Sequence, residues 1–282
     1  MSAAEQFECF RALHDPARPL ILPNAWDAAS ARLFEAAGFP AVGTTSAGLA
    51  WSHGSPDNQM LSPRVLVESV REMAAVISVP LTVDIEAGYF TAPSRFEEFV
   101  CRLLDIGIAG VNLQDASGTS WPLLPIARTC RRIEQLRSLG ERRDQPLFIN
   151  ARTDVFWVSA PAPDGSLPEA ARERLVAYRD AGAHGVFAPG LSDLDTVGML
   201  ARSTGLPVNI LAGPALPAPL ELSRHGVARI SLGSSLFRLV YSALAELSAE
   251  LPGDGGFQCL KGVATGYAEM DAMFSRPARQ TL

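Results

Sequence analysis

Apolar residues along the chain fall in short runs that alternate with stretches of helical periodicity. PLILPNA (19–25) reads as a strand, and WDAASARLFEAAG (26–38) as the helix after it, with Asp27 as N-cap and Gly38 as stop. AVGTTSA (41–47) is the next strand, and SPRVLVESVREMAAVIS (62–78) a helix with Pro63 in its first turn. The alternation continues with PLTVDIEAG (80–88) and a helix near 94–106, then GVNLQD (110–115) and a helix over 126–140. LFINARTD (147–154) precedes a helix over 168–182, and GVFAPG (185–190) one over 192–205. PVNILAG (207–213) leads to 218–226, and VARISLGSS (227–235) to a helix over 236–251.

Eight such strand–helix units predict a parallel sheet. In one chain of 282 residues they fit a (β/α)8 TIM barrel over residues 1–251. An open doubly wound sheet is the structural alternative, but the G-x-G-x-x-G turn that usually follows its first strand is absent. Residues 252–282 form a less regular helical tail, where YAEMDAMF (267–274) is expected to pack on its own barrel or on a neighbour's.

Barrel strands are buried on both faces and should be apolar throughout. Several here are not. Alternation puts Asp84 and Glu86 on one face of the third strand, Asn112 and Gln114 on one face of the fourth, and Asn150, Arg152 and Asp154 on one face of the fifth. Asn24 ends the first strand, Thr44, Thr45 and Ser46 end the second, and Asn209 lies in the seventh. These groups gather toward the carboxyl ends of the strands, where barrel enzymes build their sites. Oxygen ligands on strand ends suit Mg²⁺, which keeps several waters. A guanidinium at the same mouth suits a carboxylate or phosphoryl group, and backbone N–H groups around 45–48 could cradle an anion. The set would bind an anionic oxo-acid and stabilise an enolate. The loop SAPAPDGSLPE (159–169) falls at the same end.

Composition narrows the partners. With 48% hydrophobic and 19% charged residues, the chain can bury a sizeable core. A net charge of −6 without a basic run gives no footprint for nucleic acid or an anionic membrane. No apolar run reaches the ~18 residues of a membrane span, and MSAAEQFECF carries no leader pattern, so a cytoplasmic location is expected. Cys9, Cys101, Cys130 and Cys259 are scattered and form no C-x-x-C pair, which argues against zinc or a disulfide framework.

Taken in order, VDIEAGY, NLQD, NARTD and TTSAGLAWSHGSPD (44–57) resemble the isocitrate lyase/phosphoenolpyruvate mutase superfamily, over most of the chain from ILPNAWDAASA to RISLGSS. The resemblance implies a barrel whose terminal helix is often exchanged within a homodimer or homotetramer. It implies Mg²⁺ and an enolate-type intermediate from a small 2-oxo-carboxylate. Residue by residue, it implies Asp84 as principal metal ligand, with Glu86 and Asp57 acting through waters. It implies Arg152 on the substrate carboxylate, and Ser46, Ala47 and Gly48, beside Thr45, on the oxo-acid. Gln114 and Asn209 are further site candidates. The chain departs from the family pattern in three ways: Glu86 replaces an Asp, Gln114 replaces a Glu, and the K-K-C-G loop of the lyases is missing. ASGTSWPLLPI also lacks the Lys- and Asn-bearing gate of the phosphonomutases. The expectation is C–C bond cleavage. A P–C mutase or hydrolase and a non-catalytic oxo-acid receptor stay open as alternatives.

Overall fold

The computed structural model describes residues 2–117, 123–158, 166–251, 257, 260, 262 and 265–275. Most of the 159–169 loop, part of ASGTSWPLLPI and Cys259 lie outside the described residues.

Strand segments β1 (Leu20–Leu22), β2 (Asn24–Ala25), β3 (Val42–Thr44), β4 (Leu81–Asp84), β5 (Gly110–Gln114), β6 (Phe148–Arg152), β7 (Gly185–Phe187), β8 (Val208–Leu211) and β9 (Val227–Ser231) pair in parallel, in the order β1-β9-β8-β7-β6-β5-β4-β3-β2. The first two are halves of one barrel strand. Pro23 has no N–H to give a ladder, and the chain changes partner there. Leu20–Leu22 pair with Arg229–Ser231, whereas Asn24 and Ala25 pair with Gly43 and Thr44. Asn24 fastens the junction by donating from Nδ2 to the Thr44 carbonyl (2.9 Å) and accepting from the Gly233 N–H (2.8 Å). The circle thus closes on eight staves, as expected for a TIM barrel.

Helices α2 (Ala28–Ala36), α4 (Pro63–Val76), α5 (Pro93–Leu104), α6 (Ile126–Arg142), α7 (Leu167–Asp180), α8 (Leu194–Thr204), α9 (Pro219–Ser223) and α10 (Ser235–Glu250) follow the strands. Asp27 caps α2 from its side chain, and Pro63 opens α4. Val83, Val111, Ile149, Val186 and Ile210 are fully buried in the core that the helices share with the outer face of the strands.

Two helices add to the expected set. The first, α1 (Ala3–Ala12), is held at its start by a Ser2–Glu5 capping box. Its Phe7 and Phe10 pack with Leu20, Leu22, Ala41, Ala109 and Phe148, residues at or near the strand starts, so α1 closes the amino end of the barrel. Gly110 leaves room for this packing, because a Cβ there would lie 3.3 Å from the Phe10 ring, besides meeting the Phe148 carbonyl oxygen at 2.6 Å. The second, α3 (Ser46–Ser52), begins at the other end of the barrel, capped by Thr45.

The eighth helix, α10, buries only Phe237, leaving Leu239, Val240, Tyr241, Leu244 and Leu247 exposed. Beyond it, α11 (Tyr267–Phe274) rests on α2, where Arg32 Nε donates to the Met273 carbonyl (3.0 Å). Among the described residues, no helix is long and apolar enough to cross a membrane.

Candidate active site

The sequence suggests one continuous strand face for Asp84 and Glu86, but β4 stops at Asp84. The chain then turns left-handed: Glu86 has φ 48°, Gly88 φ 90° and Tyr89 φ 60°. Gly88 is required on two counts, since a Cβ would also meet the Phe96 ring at 2.8 Å. Across the mouth, Asn58 (φ 69°) and Gln59 (φ 59°) are left-handed too. Four of the five described non-glycine residues with positive φ therefore surround one spot, each at a cost of roughly 1–3 kcal/mol.

Hydrogen bonds hold this backbone in place. Glu86 accepts from the Gln59 N–H at Oε2 (2.6 Å) and from the Tyr89 hydroxyl at Oε1 (2.7 Å). The Tyr89 N–H donates to Gln59 Oε1 (2.8 Å), the Glu86 N–H to Asp84 Oδ1 (3.0 Å), and the Asp84 N–H to Thr44 Oγ1 (2.9 Å). Tyr89 and Gln59 were not anticipated; only their closeness to the acidic motifs pointed to them.

Arg152 approaches from the end of β6. Its Nε donates to Asp154 Oδ1 (2.6 Å), and Nη1 lies 3.9 Å from Asp84 Oδ2. Its guanidinium stands 5.6 Å from the centre of the Phe187 ring. Neither terminal nitrogen makes a hydrogen bond among the described residues, so that edge is available to a ligand. Asp115 anchors the segment from behind. It accepts the Asp154 N–H at Oδ1 (2.9 Å), and the Thr153 hydroxyl (2.8 Å), the Tyr178 hydroxyl (2.9 Å) and Arg174 Nη1 (3.1 Å) at Oδ2.

The charges act on one another. Burial raises the Asp84 pKa against the pull of Arg152, and Asp57 and Asp154 raise it further. Burial, then the Asp84 charge, moves Glu86 up to about 7. Burial works against the Arg152 cation, but Asp154, Asp84 and Asp57 outweigh it and its pKa rises. Asp57 thus belongs to the cluster, and its buried Oδ1 has no hydrogen-bond partner among the described residues.

The structure brings together Asp57, Asp84, Glu86 and Arg152. It gives the other candidates different surroundings. Gln114 Nε2 donates to the Ala116 carbonyl (3.0 Å) and ties down the following loop. Asn209 accepts from Ser231 (3.1 Å) inside the barrel, in a polar network with Arg229, Asn112 and Asn150. Thr45 Oγ1 accepts the Gly48 N–H (3.3 Å), while Ser46 and Ala47, half-buried at the start of α3, carry the N–H groups left over from that cap. An apolar recess of about 180 Å³, lined in part by Trp157, Leu191, Leu211 and Pro214, opens at the carboxyl ends of β7 and β8.

The acids fit a hard divalent cation through water. Among the described residues, no three acidic, imidazole or thiol side chains converge tightly enough to hold an ion unaided. Yet buried carboxylates repel one another here, and one of their oxygens lacks a partner. One or two direct oxygen ligands with waters completing the shell is the habit of Mg²⁺.

A closed parallel barrel with carboxylates and a guanidinium at the carboxyl ends of its strands has its charged groups where barrel enzymes build their active sites. The family model described as phosphoenolpyruvate phosphomutase matches residues 10–251. The chain belongs to that family and is a lyase-like member of the isocitrate lyase/phosphoenolpyruvate mutase superfamily. It is 36% identical over 263 residues to an uncharacterized protein of Mycobacterium tuberculosis, covering 93% of this chain and 95% of that one. It is 30% identical over 234 residues to an oxaloacetate decarboxylase of Bradyrhizobium sp. (strain ORS 278), covering 80% and 74%. A solved structure from Burkholderia cenocepacia J2315, provisionally a lyase/mutase, is 32% identical with a TM-score of 0.86, covering 98% and 97%.

Proposed function

We propose that the chain is a Mg²⁺-dependent lyase-type enzyme that cleaves a C–C bond next to the oxo group of a small 2-oxo-carboxylate, through an enolate-like intermediate. The carrying observation is the packing of Asp57, Asp84 and Glu86 beside an Arg152 whose terminal nitrogens are open. Similarity to an oxaloacetate decarboxylase supports a C–C bond as the target.

Mg²⁺, when bound, supplies a Lewis acid for the developing enolate oxygen. Asp84 is the residue to hold it, with Glu86 and Asp57 acting through waters. Arg152 takes the substrate carboxylate on its free edge, its plane fixed by Asp154 and Phe187. The N–H groups of Ser46 and Ala47, with Thr45 and Gly48 shaping the turn, face the oxo-acid. Tyr89 keeps a proton on its hydroxyl: burial, then the Glu86 charge, moves its pKa well above the phenol range. Its hydroxyl donates to Glu86 Oε1.

The bonding of Gln114 to a loop carbonyl favours one second reading, an oxo-acid receptor without turnover, because the amide contributes no acid or base. Oxaloacetate, 2-methylisocitrate and phosphonopyruvate, each with Mg²⁺, separate the readings by thermal shift and turnover. A ligand at 100 Kd stabilises by about 2.7 kcal/mol, and Asp84→Ala should abolish that response. Turnover of phosphonopyruvate alone would move the reaction to the P–C bond. Binding without turnover would leave the receptor, and no Mg²⁺-dependent binding of any of the three would overturn both readings.

A homodimer or homotetramer with exchanged terminal helices belongs to the same proposal. The unburied apolar face of α10, in the position that should close the helical shell, supports it. Light scattering should find an oligomer that Leu244→Glu dissociates; a wild-type monomer would sink it.

A further inference from the structure

Arg229 is a charged side chain that the proposed chemistry does not use. It lies within β9, fully buried. Its Nε donates to Ser231 Oγ (3.0 Å) and its Nη2 to Asn112 Oδ1 (3.2 Å), while Nη1 has no hydrogen-bond partner among the described residues. It forms no ion pair among the described residues. A guanidinium sealed away like this is costly, so its charge must be answered at longer range. On the mouth side stands Asp84, the carboxylate whose field acts on it. Asp84 pairs across the ladder with Asn112, the residue Arg229 bonds. On the other side is His14, whose Nδ1 engages the Phe10 carbonyl and whose pKa burial lowers to about 3, so it adds no positive charge near neutrality.

We propose that Arg229 is a built-in counter-charge beneath the active site, a positioning residue that loosens the grip of the carboxylates on the divalent cation and strengthens the hold on the anionic oxo-acid. This rests on the metal-dependent reading above. When ionised, Asp57, Asp84, Glu86 and Asp154 carry four negative charges; Arg152 answers three of these groups, and Arg229 answers Asp84 from below. The net charge of −2 is one that a single divalent cation neutralises. Without Arg229 the cluster would carry one more negative charge, attracting the cation more and the oxo-acid less. At an effective dielectric near 20, a unit charge several ångströms away changes an equilibrium by on the order of tenfold.

The opposed signs make this testable, because structural damage would weaken both ligands together. Mn²⁺ affinity is measured by titration calorimetry, and oxalate affinity at saturating Mn²⁺, for the wild type, Arg229→Met and Arg229→Lys. Arg229→Met should bind Mn²⁺ about tenfold tighter and oxalate about tenfold weaker, while Arg229→Lys stays near wild type on both. If Arg229→Met does not fold, Arg229→Gln carries the same expectation. Both affinities unchanged, or both weakened, in a folded neutral variant would overturn the proposal and leave the metal-dependent reading intact. A wild type that binds neither Mn²⁺ nor oxalate would remove that reading and this inference with it.

Discussion

Asp115→Asn offers a sharp test of how the Arg152 segment is held. Asp115 is fully buried and accepts hydrogen bonds from four donors, three of them at Oδ2. An asparagine keeps one oxygen. If that oxygen serves the three-donor side, the new NH2 group confronts the Asp154 N–H. If it turns the other way, the NH2 confronts Thr153, Tyr178 and Arg174. A buried donor left without its acceptor costs about 1–3 kcal/mol, and breaking a buried ion pair by neutralising one member costs about 3–5 kcal/mol. The Arg174 side chain keeps 13% exposure, and burial already raises the Asp115 pKa. Both discount the ionic part, so a total loss of about 3–4 kcal/mol follows. Urea unfolding of the wild type, Asp115→Asn, Arg174→Met and the double variant measures it. The cycle should return a coupling of at least ~1.5 kcal/mol. A loss under ~1 kcal/mol in Asp115→Asn, or a coupling near zero, would refute the assignment of Asp115 as the anchor.

Two further outcomes follow from the same structure. His184 accepts the Ile149 N–H at Nδ1, and burial, then Arg137, lowers its pKa to about 4. The unfolded imidazole takes up its proton near 6.5 and the folded one resists until about 4, so between those values the unfolded state holds more protons and stability drops as pH falls. The contribution is about 1.4 kcal/mol per pH unit, and urea unfolding from pH 7 to 4 should show His184→Gln shallower by that slope. Gly190 has φ 83°, and a Cβ there would come 2.6 Å from the Phe156 carbonyl oxygen. Gly190→Ala should cost about 2 kcal/mol or more, and an unchanged melting temperature would refute the strain.

Much of the barrel was legible because its signals are local. Val83, Val111 and Ile149 alternate with inward polar residues at a period of two, and Asp27 and Pro63 mark helix starts in plain view. The sequence also identified Asp57, Asp84, Glu86 and Arg152 as candidates that the fold brings together. Depth along the barrel was not legible. Alternation tells which face a residue takes, not how far below the rim it sits, so Asn209 read as a site residue while it bonds within the barrel interior. Glu86 matched the parity of a continued strand, but left-handed backbone at a glutamate has no signature in its own residue type. Helix α1 was missed because its apolar face is thin, although Ser2 and Glu5 spell a capping box. Arg229 sits in an ordinary strand run, VARIS, and its unpaired burial emerges only when the strands close around it.

The local rules that the chain breaks are concentrated at one end of the molecule. On the outer shell, Asp27, Ser166 and Asp193 cap α2, α7 and α8 from their side chains, and exposed ion pairs such as Arg102–Glu98 and Arg172–Glu169 follow helical spacing. At the mouth, Asn58, Gln59, Glu86 and Tyr89 share left-handed backbone, Asp84 and Glu86 hold charge where burial opposes it, and an Asp57 oxygen lacks a partner. At ~1–3 kcal/mol for each strained residue, the backbone cost alone rivals the ~5–15 kcal/mol that separates a folded domain from its unfolded chain. The Glu86 bonds to Gln59 and Tyr89 offset part of it. The remainder is tolerable because it is confined to one turn, where the rigid strands ending at Thr44 and Asp84 supply the frame. Such concentration is how a barrel keeps its stability while holding acids and a guanidinium in a state ready for a ligand.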